Sequence, residues 1–131
     1  MRRILPAVAL VLMVSPAGVE AASLVTSPLI GYDAGGVHCA IQYIGTSTVP
    51  IPIQLTAKQG NVVIRQERIA RLSVTQPAYA MSIECPGAGN ECYNAICVFS
   101  FTGDKTLFRA SACLTSDLYA NNGAQLCMPA Y

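Results

Sequence analysis

The sequence predicts an all-β fold, an immunoglobulin-like antiparallel β-sandwich stapled by disulfide bonds. Three observations lead to this fold class: short runs alternate apolar and polar residues, turn residues separate these runs, and the chain contains six cysteines. No stretch has the spacing of a long amphipathic helix. A small β-barrel is the alternative architecture, because alternation defines the two faces of a strand but not how the sheets close.

The first 21 residues have the pattern of a secretory signal peptide. A positively charged start (residues 1–3) precedes an apolar stretch (residues 4–14), and residues 19–21 supply small side chains for cleavage after Ala21. The apolar stretch is shorter than the roughly 17–25 residues that a membrane-spanning helix needs. We therefore expect a mature chain of one domain, residues 22–131, with no membrane span and a periplasmic or extracellular location.

Charge gives no sign of a polyanionic partner. Beyond residue 21, six lysines and arginines balance six aspartates and glutamates. Nucleic-acid-binding domains usually carry a marked basic bias. We expect no nucleic-acid partner.

Five strands are predicted before residue 86. Each has apolar residues at alternate positions and is bounded by glycine, proline or a polar turn. Pro50 and Pro52 cannot donate ladder hydrogen bonds, which indicates an edge position for the start of the third strand. The strands are a short one around residues 24–26, then 37–44, 49–57, 62–65 and 79–85.

The segment after residue 65 has two interpretations. Residues 65–72 are rich in helix-favouring side chains, so they form either a continuing strand or one to two helical turns. In a helix, Arg65, Arg68 and Arg71 would share a face able to bind an anionic sugar or a carboxylate. In a strand they would scatter and keep a sheet edge soluble, and this interpretation is favoured.

Residues 95–101 and 106–114 flank a four-residue turn and predict a hairpin. With Phe101 opposite Thr106, one face carries no charge and holds every phenylalanine of the chain, so we assign it to the core. Cys113 then lies on the opposite face. The predicted core face consists of Cys97, Phe99, Phe101, Phe108, Ala110 and Ala112.

Six cysteines in an exported chain predict structural disulfides rather than a metal or redox site. The chain has no CxxC pair, which zinc and thiol-redox sites commonly use. Strand faces favour a Cys39–Cys97 bond between the sheets. Cys85–Cys92 would then close a loop, and Cys113–Cys127 would hold the C-terminal segment. Cys39–Cys85 with Cys92–Cys97 is a competing set.

No motif predicts a catalytic residue, a cofactor or a metal site. The single histidine, His38, lies on the less apolar face of its strand, where it points away from Cys39. No Gly-x-Ser-x-Gly elbow is present. The glycine-rich residues 31–36 lack the spacing of a phosphate-binding loop. We therefore expect a protein that is not an enzyme.

Three short segments resemble a group of small exported bacterial proteins that are mostly uncharacterised. The segments are CAIQYIGT (39–46), CVFSFTG (97–103) and RASAC (109–113). The group's pattern runs Cys-x-x-x-Asn-x-Gly-Thr, Cys-Arg-Phe-x-Val-x-Gly and Arg-Ala-Ser-x-Cys. Tyr43 stands where the group has asparagine, and Cys92 and Cys127 are additions. The resemblance implies export and a β-sandwich, and it implies no activity.

The sequence thus favours a non-catalytic exported module that binds a protein or glycan through loops or a sheet edge. One alternative is a small secreted hydrolase, which would need a pocket combining His38 with a serine and a carboxylate. Another is an inhibitor of a secreted hydrolase, which would use the loop between Cys85 and Cys92. Residues 119–125 are a further candidate binding loop, or a simple turn.

Overall fold

A computed structural model describes residues 20–31, 35–85, 92–115 and 127–131. These residues form nine strands and one short 3₁₀ helix. The strands are β1 (Ala21–Val25), β2 (Leu29–Gly31), β3 (Gly36–Tyr43), β4 (Ile51–Gln59), β5 (Val62–Leu72), β6 (Ala78–Glu84), β7 (Cys92–Thr102), β8 (Phe108–Thr115) and β9 (Cys127–Pro129).

The strands form two antiparallel sheets that pack as a sandwich. The first sheet has the order β1-β7-β4-β5, and β2 also pairs with β7. The second sheet has the order β6-β3-β8-β9. An all-β sandwich is therefore the fold of the described chain, as the sequence predicts.

The core lies between the sheets, and the predicted core face is confirmed. All six residues of the predicted core face are buried, and Cys97, Phe99 and Ala112 are fully buried. The rings of Phe101 and Phe108 lie 4.4 Å apart between centroids and join the two sheets. Full burial of one such side chain contributes roughly 1.5–3 kcal/mol.

The predicted hairpin of residues 95–114 is wrong. β7 pairs with β1, β2 and β4, whereas β8 pairs with β3 and β9 in the other sheet. Both hydrogen-bonding edges of β7 are occupied, so the chain crosses to the opposite sheet. The connection contains a 3₁₀ turn, Lys105–Leu107, which Asp104 caps by accepting a hydrogen bond from the Thr106 amide at 2.8 Å. The two strands contribute to one core from opposite sides.

This crossing distinguishes the strand order from that of immunoglobulin domains, in which the last two strands are neighbours in one sheet. Here the first strand, β1, lies beside β7, and β8 lies beside β3. The inter-sheet disulfide is shared with the immunoglobulin pattern: Cys39 on β3 is bonded to Cys97 on β7.

The other predicted strands are present, with some changes of extent. The segment from residue 62 is one strand to Leu72, so the helical alternative for residues 65–72 is wrong. The short strand predicted around residues 24–26 is observed as β1, and β2 follows it. The start of β4, with Pro52 inside it and Pro50 just before it, pairs with β5 but precedes the β7 ladder, which begins at Gln54.

Three disulfides are present, and they are the favoured set rather than its competitor. They are Cys39–Cys97, Cys85–Cys92 and Cys113–Cys127. Cys113 and Cys127 are directly opposite each other on β8 and β9. Residues 1–19 lie outside the described part of the chain, and the predicted cleavage after Ala21 would remove the first residue of β1.

Candidate functional site

The outer face of the four-stranded sheet presents aligned rows of side chains. Successive residues of a strand point to opposite faces, so even-numbered residues of β3 and β6 face outward here. Strand registers then place outward residues side by side across the sheet. One row is Ala80, Ala40, Ser111 and Pro129, and the next is Ala78, Gln42 and Arg109.

These two rows form the floor of a shallow trough of about 670 Å³. Because its central side chains are alanine and serine, the surface is lowered there and a ligand can approach the strand backbone closely. The trough is lined by Ala40, Ile41, Gln42, Ala78, Tyr79, Ala80, Arg109, Ala110, Ser111 and Pro129.

Arg109 gives one end of the trough a positive charge. Its Nη1 atom donates to the carbonyl oxygen of Phe108 at 3.0 Å and to that of Thr106 at 3.5 Å. Within the described part of the chain no carboxylate pairs with Arg109. The charge is therefore available to an anionic group of a ligand, with the Gln42 amide beside it in the same row.

The row on the other side of the trough contains the single histidine. His38 Nδ1 and Ser82 Oγ are 2.9 Å apart across β3 and β6. On the other flank of His38 lies Cys113, which is bonded to Cys127. The His–Ser pair is exposed, and no carboxylate among the described residues hydrogen-bonds to the imidazole. The arrangement lacks the third, orienting group of a hydrolytic triad.

Tyr79 lies beside the trough on β6, but its side chain is on the inner face of the sheet, toward β5. Its phenol lies close to the carboxylate of Glu67 on β5. Removal from water, then the interaction with Glu67 and its charge, raises the pKa of Tyr79, and Arg65 opposes the change. Arg65 Nη2 lies 3.8 Å from Glu67 Oε2. The phenol is thus a neutral donor at neutral pH and joins the edges of the two sheets.

The structure does not bring the other sequence candidates into this site. Arg65, Arg68 and Arg71 lie along β5 as a strand, so they do not share a helical face. Asp104 is exposed at the cap described above, and the hydrogen bonds from Thr106 lower its pKa. Residues 32–34, 86–91 and 116–126 are outside the described ranges. Two predicted sites therefore lie there: the loop between Cys85 and Cys92, and the candidate loop of residues 119–125.

Within the described ranges, no group of three or more His, Cys, Asp or Glu side chains could hold a metal ion. The same ranges contain no helix of sufficient length and apolar character to cross a membrane. Comparisons with protein-family models, curated proteins and solved structures give no match.

Sequence reasoning missed the trough as a site. Its signal was present in part, because Ala40 and Ala80 are small residues on the less apolar faces of two predicted strands. Their alignment depends on the pairing of β3 with β6, which is set by tertiary structure and not by either segment alone.

Proposed function

We propose that this protein is an exported, non-catalytic module that binds a protein or glycan partner in the trough on its four-stranded sheet. The observation that carries the proposal is the aligned row of small side chains, which creates a concavity of about 670 Å³ on a regular sheet face. This is within the roughly 300–1,000 Å³ typical of ligand sites. Export is supported by the signal-peptide pattern and three disulfides.

The chemistry of the trough indicates what it would accept. The floor favours a flat or extended ligand that lies against Ala40 and Ala80. Arg109 and the Gln42 amide favour a negatively charged or hydrogen-bond-accepting group at one end, such as a carboxylate on a peptide or on a uronic sugar. Ser111 adds a hydroxyl group to the floor.

The first prediction concerns a variant that fills the trough. Ser111→Lys places a long charged side chain on the floor and should weaken partner capture, because the ligand can no longer lie against the sheet. Ser100→Lys is the matched control, since Ser100 is exposed on β7 in the other sheet. The measurement is affinity capture from the native envelope and medium by oxidised protein, followed by titration of the captured partner.

The expected outcome is at least roughly tenfold weaker binding by Ser111→Lys and unchanged binding by Ser100→Lys, as loss of shape fit and a buried charge would cause. Equal binding by both variants would exclude the trough. If neither a protein nor a glycan binds the wild-type chain, the binding function itself is wrong.

A secreted hydrolase is the second candidate, and the 2.9 Å contact between His38 and Ser82 is the observation that favours it. Its exposure, and the lack of a described carboxylate on the imidazole, favour a surface hydrogen bond instead. The inhibitor alternative depends on residues 86–91, which are outside the described ranges, and only the Cys85–Cys92 bond that would brace that loop supports it.

A further inference from the structure

β6 is the terminal strand of its sheet and has one open edge. Among the described strands it forms a ladder with β3 alone. The Tyr43 amide donates to the Pro77 carbonyl at 2.6 Å. This bond shows which residues of β6 direct their backbone groups toward β3. In an antiparallel pair every second residue bonds to the neighbour, so Tyr79, Met81 and Ile83 bond to β3.

The remaining residues of β6 therefore direct their N–H and C=O groups toward the open edge. They are Ala78, Ala80, Ser82 and Glu84. Natural edge strands are usually protected by lysine, proline, bulges or covering segments. This strand has none of these protections in its seven residues, and its one charge is at its last residue.

The other edges of the sandwich are charged or partly covered. β5 carries charged residues along its length, among them Arg65, Arg68 and Arg71. On the opposite side, the C-terminal segment links the two sheets: Thr26 bridges to Ala130. Val25 and Tyr131 exchange two backbone hydrogen bonds of 3.1 and 3.2 Å. Among the described strands without charges along their length, β6 has the longest run of free edge groups, since β1 offers only Ala21 and Ser23 beyond the contact with Tyr131.

We propose that β6 pairs antiparallel with β6 of a second copy of this chain, about a two-fold axis at Met81. In this register Ala80 is opposite Ser82 of the second copy, and Ala78 is opposite its Glu84. It is the register that pairs all seven residues of the strand while keeping inward side chains inward. The result is one continuous eight-stranded sheet across the dimer.

Charge placement supports a second copy as the occupant. Each Glu84 lies opposite Ala78, at the end of a row that continues through Gln42 to Arg109. Two strand spacings, about 10 Å, separate the Cα atoms of Glu84 of the second copy and Gln42, with only a methyl group between them. The two Glu84 residues lie at opposite ends of the interface, so they do not repel each other.

The association stops at two copies and does not continue into a fibre. A two-fold contact uses the same surface on both chains and leaves no further copy of it exposed. This rests on the β6 edge alone and does not depend on what the trough binds. The dimer does, however, place the two troughs on one shared sheet face.

The test is sedimentation equilibrium of the oxidised protein over a concentration series. Ala80→Pro removes an edge donor that the monomer fold does not use, and its ring obstructs the neighbouring strand. We expect a wild-type dimer and at least about tenfold weaker dimerisation of Ala80→Pro. Glu84→Lys should weaken it several-fold by replacing the carboxylate that faces the Gln42 amide with a cation. Ser111→Lys, on the same face but two strands away, should leave it unchanged.

Hydrogen exchange provides the second measurement, because it does not require any variant to fold. The amides of Ala80 and Ser82 should be protected at concentrations that favour the dimer and exposed on dilution. A monomer at about 1 mM overturns the proposal, as does a dimer without this protection. Loss of trough binding with dimerisation intact would affect only the proposed function.

Discussion

Gly45 lies against the aromatic ring of Tyr43, two residues earlier in the chain. A Cβ atom at position 45 would overlap the phenol carbons and hydroxyl of that ring. Tyr43 is buried, and its ring lies 5.4 Å from that of Phe108 between centroids. Its hydroxyl also accepts a hydrogen bond from the Ser47 amide at 3.2 Å. The ring has little freedom to move, so this glycine is required by close approach.

Gly45→Ala should therefore lower the free energy of unfolding by about 1–3 kcal/mol, the usual cost of overpacking. Chemical denaturation of the oxidised protein measures it. Tyr43→Leu provides the background for a double-mutant cycle, because it removes the ring that the new methyl group meets. If Gly45→Ala costs as much in the Tyr43→Leu background as in the wild-type chain, the overlap is not the cause of the loss.

At the scale of elements, β9 is a three-residue strand whose attachment depends on covalent and backbone contacts. Cys127 is disulfide-bonded to Cys113, and Ala130 donates a 2.9 Å hydrogen bond to the Ala110 carbonyl. β9 also has few buried side chains, with Met128 only partly covered. A strand so short gains little from its own ladder, so the disulfide supplies much of its stability.

Replacing Cys113 and Cys127 together by serine should lower the free energy of unfolding by roughly 3 kcal/mol, as the chain-entropy model gives for a 14-residue separation. In this variant, hydrogen exchange should speed up more at the amides of Ala130 and Tyr131 than at those of β3. The difference would exceed what the loss of global stability alone produces. The double serine variant of Cys85 and Cys92 is the control: it should leave the relative exchange of Ala130 unchanged. Equal acceleration in both variants would contradict a local role.

Strands could be predicted from the sequence where their two faces differ. In β7 and β8 the alternation identifies the buried face correctly, because one register of period two places every phenylalanine inside. The same pattern wrongly pairs β7 with β8, since alternation does not determine which strands hydrogen-bond to each other. β5 is a similar case: Arg65, Glu67 and Arg68 favour helix in isolation, but pairing with β4 overrides that preference.

The Cys39–Cys97 bond joins the centres of the two sheets. Both residues are fully buried, on β3 and β7. The bond constrains a sequence separation of 58 residues, for which the chain-entropy model gives roughly 4 kcal/mol. It was predictable because each cysteine lies on an apolar strand face. The trough was not, since it needs the registers of β6, β3, β8 and β9 together.

Replacing Cys39 and Cys97 together by alanine should be the most damaging of the disulfide removals, with a loss of roughly 4 kcal/mol or more in the free energy of unfolding. Chemical denaturation of the three double variants gives the comparison. The order expected is Cys39–Cys97, then Cys113–Cys127, then Cys85–Cys92, which follows the three sequence separations of 58, 14 and 7. A reversed order would show that native-state strain, and not the unfolded chain, decides their contributions.

The disulfides are nested, because the Cys85–Cys92 bond lies inside the segment that Cys39–Cys97 encloses. An oxidant that joins thiols in their order along the chain would link Cys39 to Cys85 and Cys92 to Cys97. Native pairing therefore requires either that the strands assemble before the first bond forms, or that thiol exchange repairs the early product. Formation of the native set thus depends on strand assembly or on thiol exchange, and oxidation alone does not ensure it.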